Sequence, residues 1–244
     1  MEVPAVHGVI ARRLLVNYRV DPDAIARVLP PPFVPKLVNG QAIAGICLIR
    51  LTDIRPRGFP ALVGHSSENA AHRIAVEWEQ DGVVREGVYI PRRDSNSRLN
   101  TMLGGRVFPG VHHRARFTVQ EIADEFTVAL RSIDGDTRVE VRGRVAATLP
   151  AHTVFSSIED ASNFFEAGAV GYSRTSQPGR FHGLELRSRN WTIEPLAVDH
   201  VMSSFFEDAN QFPRDAAIFD SAFLMRDVQH EWHALPALCA VRVA

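Results

Sequence analysis

Lysine is almost missing from this sequence of 244 residues: Lys36 stands alone against 26 arginines. Arginine keeps its proton at any workable pH and is a poor amine nucleophile, so imine chemistry has one side-chain amine to draw on. Cysteine is scarce as well. Cys47 and Cys239 lie in the apolar runs GICLIR and ALCAVRV with no metal-type spacing, which reads as buried free thiols. Charge of either sign is not in excess, the formal net being −1, so no basic field points to nucleic acid or an anionic membrane. A charged leader with an apolar core is absent, and no apolar run has the length of a membrane span. A soluble, cytoplasmic protein is the expectation. Without an internal repeat, low-complexity tract or linker, residues 1–244 read as one domain.

What the chain does have is a succession of strand-like runs separated by turn residues. VIARRLLVNYRV (9–20) mixes β-branched and long apolar residues without helical spacing. A short helix is expected over 22–29: Asp21 caps it, Pro22 occupies the first turn, and Pro30-Pro31-Pro32 ends it. AIAGICLIRL (42–51) reads as a buried strand, and residues 70–90 as a hairpin turned at Asp81-Gly82. A second hairpin turns at Asp134-Gly135. Helical turns are expected over 94–103, capped by Asp94 or Ser95, and over 157–168, ended by Gly168. GYSRTSQPGRF (171–181) reads as loop, while 184–198 and 217–235 return to strand. The fold class is α+β, dominated by antiparallel sheet.

Two segments resemble a known family. YRVDPDAIARVLPPPF (18–33) looks like the N-terminal signature of the acetoacetate decarboxylase-like superfamily. EPLAVDHVMSSFFED (194–208) is similar to that superfamily's C-terminal run, in which a Pro-Val strand leads to Ser-Ser. The hairpins between have compatible lengths, and the resemblance is to the uncharacterised YqjF-like branch more than to the true decarboxylases. It implies an antiparallel β-cone or barrel with a few peripheral helices, a ligand cavity inside, and a homo-oligomer. In the true decarboxylases a lysine forms a Schiff base with a β-keto acid, its pKa depressed by a second lysine. The corresponding stretch here, RRDSNSRLNTMLGGRV (92–107), has none. The family's arginine before the first strand falls near Ala11, with Arg12 and Arg13 as neighbours, whereas Glu68 matches a cavity glutamate. The resemblance therefore implies the fold without the imine mechanism. Lys36, in a proline-flanked loop, is expected to be solvated.

The expected site is built from the same stretches. Glu68, beside His65, Ser66, Ser67 and Asn69, is a candidate general acid or base whose pKa partial burial would raise, with His65 as a second proton carrier. Arg92 and Arg93 follow Pro91 at a strand end, so one should face inward and one outward. Arg98 lies four residues after Asp94, the spacing of a helical ion pair, or else turns inward with Asn100. The catalytic candidates are Glu68, Arg98 and His65; the substrate-binding candidates are Arg92, Asn100 and Tyr89. A guanidinium there would grip a carboxylate or enolate through paired N–H donors. Neither His112-His113 nor His230 with His233 can chelate within one strand, so no metal is expected, and no cofactor. Ser203 and Ser204 lack an acyl-transfer elbow. The expected activity is a lysine-independent lyase, dehydratase, cyclase or isomerase acting on a small carboxylate or β-dicarbonyl compound. The alternative is a non-catalytic binder of such molecules. An arginine–glutamate pair converging in the cavity points to the first, a cavity without a perturbed acid to the second.

Overall fold

Alternation along the first long strand decides the architecture. In β1 (Val6–Val20), Leu14, Val16 and Tyr18 point to one side and Leu15 to the other, and all four are buried. A strand apolar on both faces needs cover on both, each fully buried aliphatic side chain contributing about 1.5–3 kcal/mol. The computed structural model, which describes residues 6–56, 65–98, 101 and 110–240, shows how that cover is arranged.

β1 pairs with β4 (Gln41–Pro56) on one side and β13 (Ala217–Cys239) on the other. β5 (His65–Gln80) and β6 (Val83–Ser95) extend this into a five-strand wall. From β6, pairings run through β7 (His112–Ile122), β8 (Glu125–Ser132), β9 (Arg138–Val145) and β12 (Glu194–Ser203) back to β13. A second circuit runs from β6 through β10 (Val170–Arg174) and β11 (Arg180–Ser188), also back to β13. With the short β2 (Val34–Pro35) and β3 (Leu37–Val38) at its margin, this is one 13-stranded sheet that closes on itself twice. The shared wall separates two cores. Leu14, Val16, Ile46 and Leu48 pack with Val128, Leu130 and Val141 in the first; Leu15, Ile43 and Cys47 pack with Phe155, Phe165 and Phe223 in the second.

The turns follow local chemistry. Asp81 (φ 54°) and Gly82 (φ 75°) both take left-handed conformations, the two-residue turn whose twist suits a hairpin. α1 (Pro22–Val28) starts at Asp21, whose side chain accepts from the Ala24 amide at 2.8 Å. α2 (Ile158–Ala167) starts at Ser157, which accepts from the Asp160 amide at 3.0 Å. Its buried Ala161 and Phe165 lie one turn apart and face the second core.

Several expectations need correction. Residues 171–174 are not loop but part of β10, and Arg180 and Phe181 begin β11: GYSR lacks an apolar run, yet pairing with β6 and β11 holds it extended. The β6–β7 and β6–β10 pairings are parallel, so the sheet is not wholly antiparallel. Asp94 and Ser95 end β6 rather than capping a helix; Arg98 and Thr101 are helical, the Thr101 amide donating to Ser97 O at 3.3 Å, and residues 99, 100, 102 and 103 of the expected helix lie outside the described residues. The 184–198 run is two strands, broken between Ser188 and Glu194. No helix among the described residues is long and apolar enough to cross a membrane.

Candidate functional site

Glu68 belongs to a closed ionic cluster. Along the wall it stands opposite Arg50, which stands opposite Arg12, so all three share a face. Glu68 accepts from Arg12 Nη2 at 2.7 Å and from Arg50 Nε at 2.6 Å. Glu121 of β7 completes the square, 2.6 Å from Arg12 Nη1 and 3.0 Å from Arg50 Nη1. Two guanidiniums meet two carboxylates, both Glu68 oxygens are engaged, and Arg12 is only 3% exposed.

The other expected site residues are scattered. Arg92 bonds Asp94 at 3.0 Å and Asp134 at 2.8 Å, with Asp136 at 3.6 Å. Burial pushes the Asp94 carboxyl up, and the Arg92 charge and hydrogen bond only partly counter it. The expected Asp94–Arg98 helical pair is replaced by this strand-borne one, and Arg98 is exposed. Tyr89 is core: its ring lies 5.4 Å from Phe33 and 6.0 Å from Phe181. The side chain of His65, and Asn100 altogether, lie outside the described residues. Glu68, Arg92, Tyr89 and Arg98 are thus not brought together.

A different set converges on the opposite face of the wall, inside the smaller circuit. Arg93 of β6 stands across from Ala71 of β5, Ala71 from Cys47 of β4, and Cys47 from Leu15 of β1. The next positions along the strands bring Arg13, opposite Ile49, and Arg73, opposite Gly45. Arg13, Cys47, Arg73 and Arg93 line one cavity, otherwise walled by apolar groups that include Ile10, Ile49, Phe165, Trp191 and Trp232. The volume open to water in the cavity is about 100 Å³. One water needs roughly 10–15 Å³ by that measure, so a small organic molecule fits.

Its electrostatics are one-sided. Arg73 donates to Cys47 Sγ from Nε at 3.1 Å and to Asn17 Oδ1, with its guanidinium 4.9 Å from the Phe165 ring centroid. Arg13 Nη2 reaches the same sulfur at 3.4 Å, while its Nε and Nη1 are buried without a partner. Arg93 donates to Ser173 Oγ at 3.1 Å, and burial pulls its guanidinium down to about 10. Burial alone would push the Cys47 thiol up; the charges and N–H donors of Arg13 and Arg73 outweigh it and bring the thiol below its ordinary value. No aspartate, glutamate or histidine lines this cavity among the described residues. Buried charges are ordinarily paired because desolvation costs several kcal/mol per ion. Three guanidiniums face one space with no carboxylate among the described lining residues, and paired N–H donors of this kind can grip a carboxylate.

Lys36 is less solvated than expected. It sits between β2 and β3, its backbone amide bonded to Ala75 O, and its Nζ lies 2.5 Å from Glu86 and 5.0 Å from the Phe164 ring centroid. It lines a smaller pocket that shares Arg13, Arg73 and Phe165 with the larger one. Of the cavity arginines, Arg73 escaped sequence reasoning altogether, although a charged residue inside the apolar stretch AAHRIAV was a signal of an inward-facing polar group.

A family model described as "DUF2071, uncharacterized conserved protein" matches residues 10–225. No curated protein matches the sequence. Among solved structures, acetoacetate decarboxylase from Legionella pneumophila is similar over 96% of this chain and 88% of its own, with TM-score 0.59 and 12% identity. The enduracididine biosynthesis enzyme MppR complexed with pyruvate is similar over 100% of this chain and 93% of its own, with TM-score 0.60 and 14% identity. An acetoacetate decarboxylase-like enzyme from Sphingomonas wittichii RW1 follows at TM-score 0.55 and 11% identity, covering 98% and 93%. At such identities the likeness establishes the fold, which is the acetoacetate decarboxylase-like one.

Proposed function

We propose, from the premise that the chain belongs to the DUF2071 family and has the acetoacetate decarboxylase-like fold, that it binds a small anionic carbonyl compound in the arginine-lined cavity and acts on it without an imine. One observation carries this reading: Arg13, Arg73 and Arg93 converge on one cavity with no carboxylate partner among the described residues. A 2- or 3-oxo carboxylate supplies the missing charge, and its carbonyl supplies an acceptor for a further N–H. The pyruvate complex of MppR supports the same ligand class on this fold. The reading moves recognition from Arg92 and Arg98 to Arg93. It also removes Glu68 from proton transfer, because Glu68 is held between Arg12 and Arg50 on the far face of the wall. One sheet joining all the described strands supports the expected single domain.

Superfamily neighbours that are enzymes support a lyase, dehydratase, cyclase or isomerase step. A second reading, binding without turnover, is favoured by one specific feature: among the described residues the cavity lining has neither carboxylate nor imidazole to move a proton. Calorimetric titration with pyruvate and acetoacetate, using uncharged methyl pyruvate as control, tests the anion reading. Both acids should bind, the ester should not, and Arg93→Met should weaken the acids about tenfold, the equivalent of about 1.4 kcal/mol. Equal affinity for acid and ester would contradict it. Proton NMR of the same mixtures separates the two readings, since turnover consumes the acids beyond a protein-free blank and simple binding leaves them intact.

A further inference from the structure

We propose that Cys47 is the nucleophile of this cavity, positioned by Arg13 and Arg73, and that its electrophile is the carbonyl carbon of a small oxo-carboxylate. The inference rests on the anion reading above and adds the atom that reacts.

Geometry sets this sulfur apart from a bystander thiol in an apolar core. Arg73 Nε and Arg13 Nη2 are aimed at it, at 3.1 and 3.4 Å. The two arginines reach it from opposite diagonals of the wall, Arg73 from across Gly45 and Arg13 from across Ile49. Gly45 has no room for a larger residue, since a Cβ there would lie 2.2 Å from Val16 O. Between Cys47 and Arg93 the wall carries only the methyl of Ala71, so thiol and third guanidinium face the same space. Among the described lining residues Cys47 is the one group that can carry negative charge. Two adjacent cations favour the thiolate, which is the nucleophilic form. The second cysteine, Cys239, is exposed rather than buried as its apolar run suggested, and serves as an internal reference.

The step balances without a co-reactant. The sulfur lone pair forms an S–C bond to the carbonyl carbon, and the C=O π pair moves to oxygen. Negative charge passes from sulfur to oxygen, where guanidinium N–H groups stabilise it. Arg13 Nε and Nη1, buried and unpartnered, are donors available to the substrate carboxylate or to this oxyanion. Reversal of the same electron movement releases the ligand.

The test is alkylation of the intact chain by iodoacetate or iodoacetamide, with each cysteine followed separately by peptide mass spectrometry. In both reagents S–C forms, C–I breaks and iodide leaves; only iodoacetate has the carboxylate. Cys47 should react about tenfold faster with iodoacetate than with iodoacetamide, and should remain reactive near about pH 6, roughly two units below an ordinary thiol pKa. Cys239 should show no preference for the anion and ordinary thiol pH dependence. Added pyruvate should slow Cys47 alone, a readout that requires no variant. Arg73→Gln should move the Cys47 profile toward that of Cys239, and Arg73→Lys should partly restore it. A Cys47 that stays unmodified while Cys239 reacts, or that loses reactivity with falling pH as Cys239 does, overturns the nucleophile. Calorimetric binding of pyruvate would then leave the anion reading standing. Fast Cys47 alkylation with equal rates for the two reagents overturns the carboxylate electrophile instead.

Discussion

Arg12 and Arg13 are neighbours in sequence and opposites in circumstance. Strand alternation sends Arg12 to one face of the wall, where Glu68, Glu121 and Arg50 form a balanced square with it. It sends Arg13 to the other face, where Arg73, Arg93 and a thiol leave positive charge unanswered. Taking the partner from a paired buried ion strands a charge, whereas an ion buried without one leaves its charge for a ligand to answer. The same residue type therefore predicts stability on one face and binding on the other.

Removing one partner from the balanced face should give the largest effect. Glu68→Ala leaves Arg12 and Arg50 sharing Glu121 and should destabilise the protein by about 3 kcal/mol in urea denaturation. A loss under about 1 kcal/mol would mean the square is not a structural element. Acid should act next, through one histidine on each face. Burial lowers His72 to about 3 on the first face and His230 to about 4 on the second. Both sit below the ordinary imidazole value, so the unfolded chain binds protons first as pH falls. Stability is present in full above about pH 6.5 and should drop by roughly 2 kcal/mol per histidine by about pH 5. His72→Phe should flatten that acid limb in thermal melts; an unchanged limb would put the proton uptake elsewhere.

On the unanswered face the sign should reverse. Arg93→Met removes a half-buried charge that has no carboxylate partner among the described residues, and its stability should stay within about 1 kcal/mol of the parent, on the more stable side. Destabilisation comparable to that of Glu68→Ala would erase the distinction between the faces. The smallest effect belongs to Lys36, whose Nζ is occupied by Glu86. Borohydride with acetoacetate should add no mass to the protein, and Lys36→Ala should leave pyruvate affinity unchanged. A trapped adduct on Lys36 would restore lysine chemistry to this cavity.

The barrel was largely legible because its signals are local. Mixed β-branched and long apolar residues without helical spacing marked β1, apolar continuity marked β4, Asp81-Gly82 marked the β5–β6 turn, and Asp21 with Pro22 marked α1. β10 was hidden, since GYSR carries no apolar run and owes its extension to partners on both sides. The cavity was legible only in outline. Alternation sends Arg92 and Arg93 to opposite faces of the wall, but the expected outward one is not outward: a core covers each face, Arg92 is 13% exposed, and the register shift just before them, between His72 and Ile74, decides which face each takes. Cys47 looked inert for a related reason: its two arginine neighbours come from separate strands, and only the pairing registers bring them to the sulfur.

The central claim is that the three cavity arginines hold an anion, and a crystal structure of the protein with pyruvate tests it most directly. The account predicts the pyruvate carboxylate within hydrogen-bond distance of Arg13 and Arg93, its carbonyl carbon facing Cys47 Sγ, and the Arg12–Glu68 square unchanged. Pyruvate lodged among Arg12, Arg50 and Glu68, or an arginine cavity that stays empty at saturating pyruvate, would contradict it.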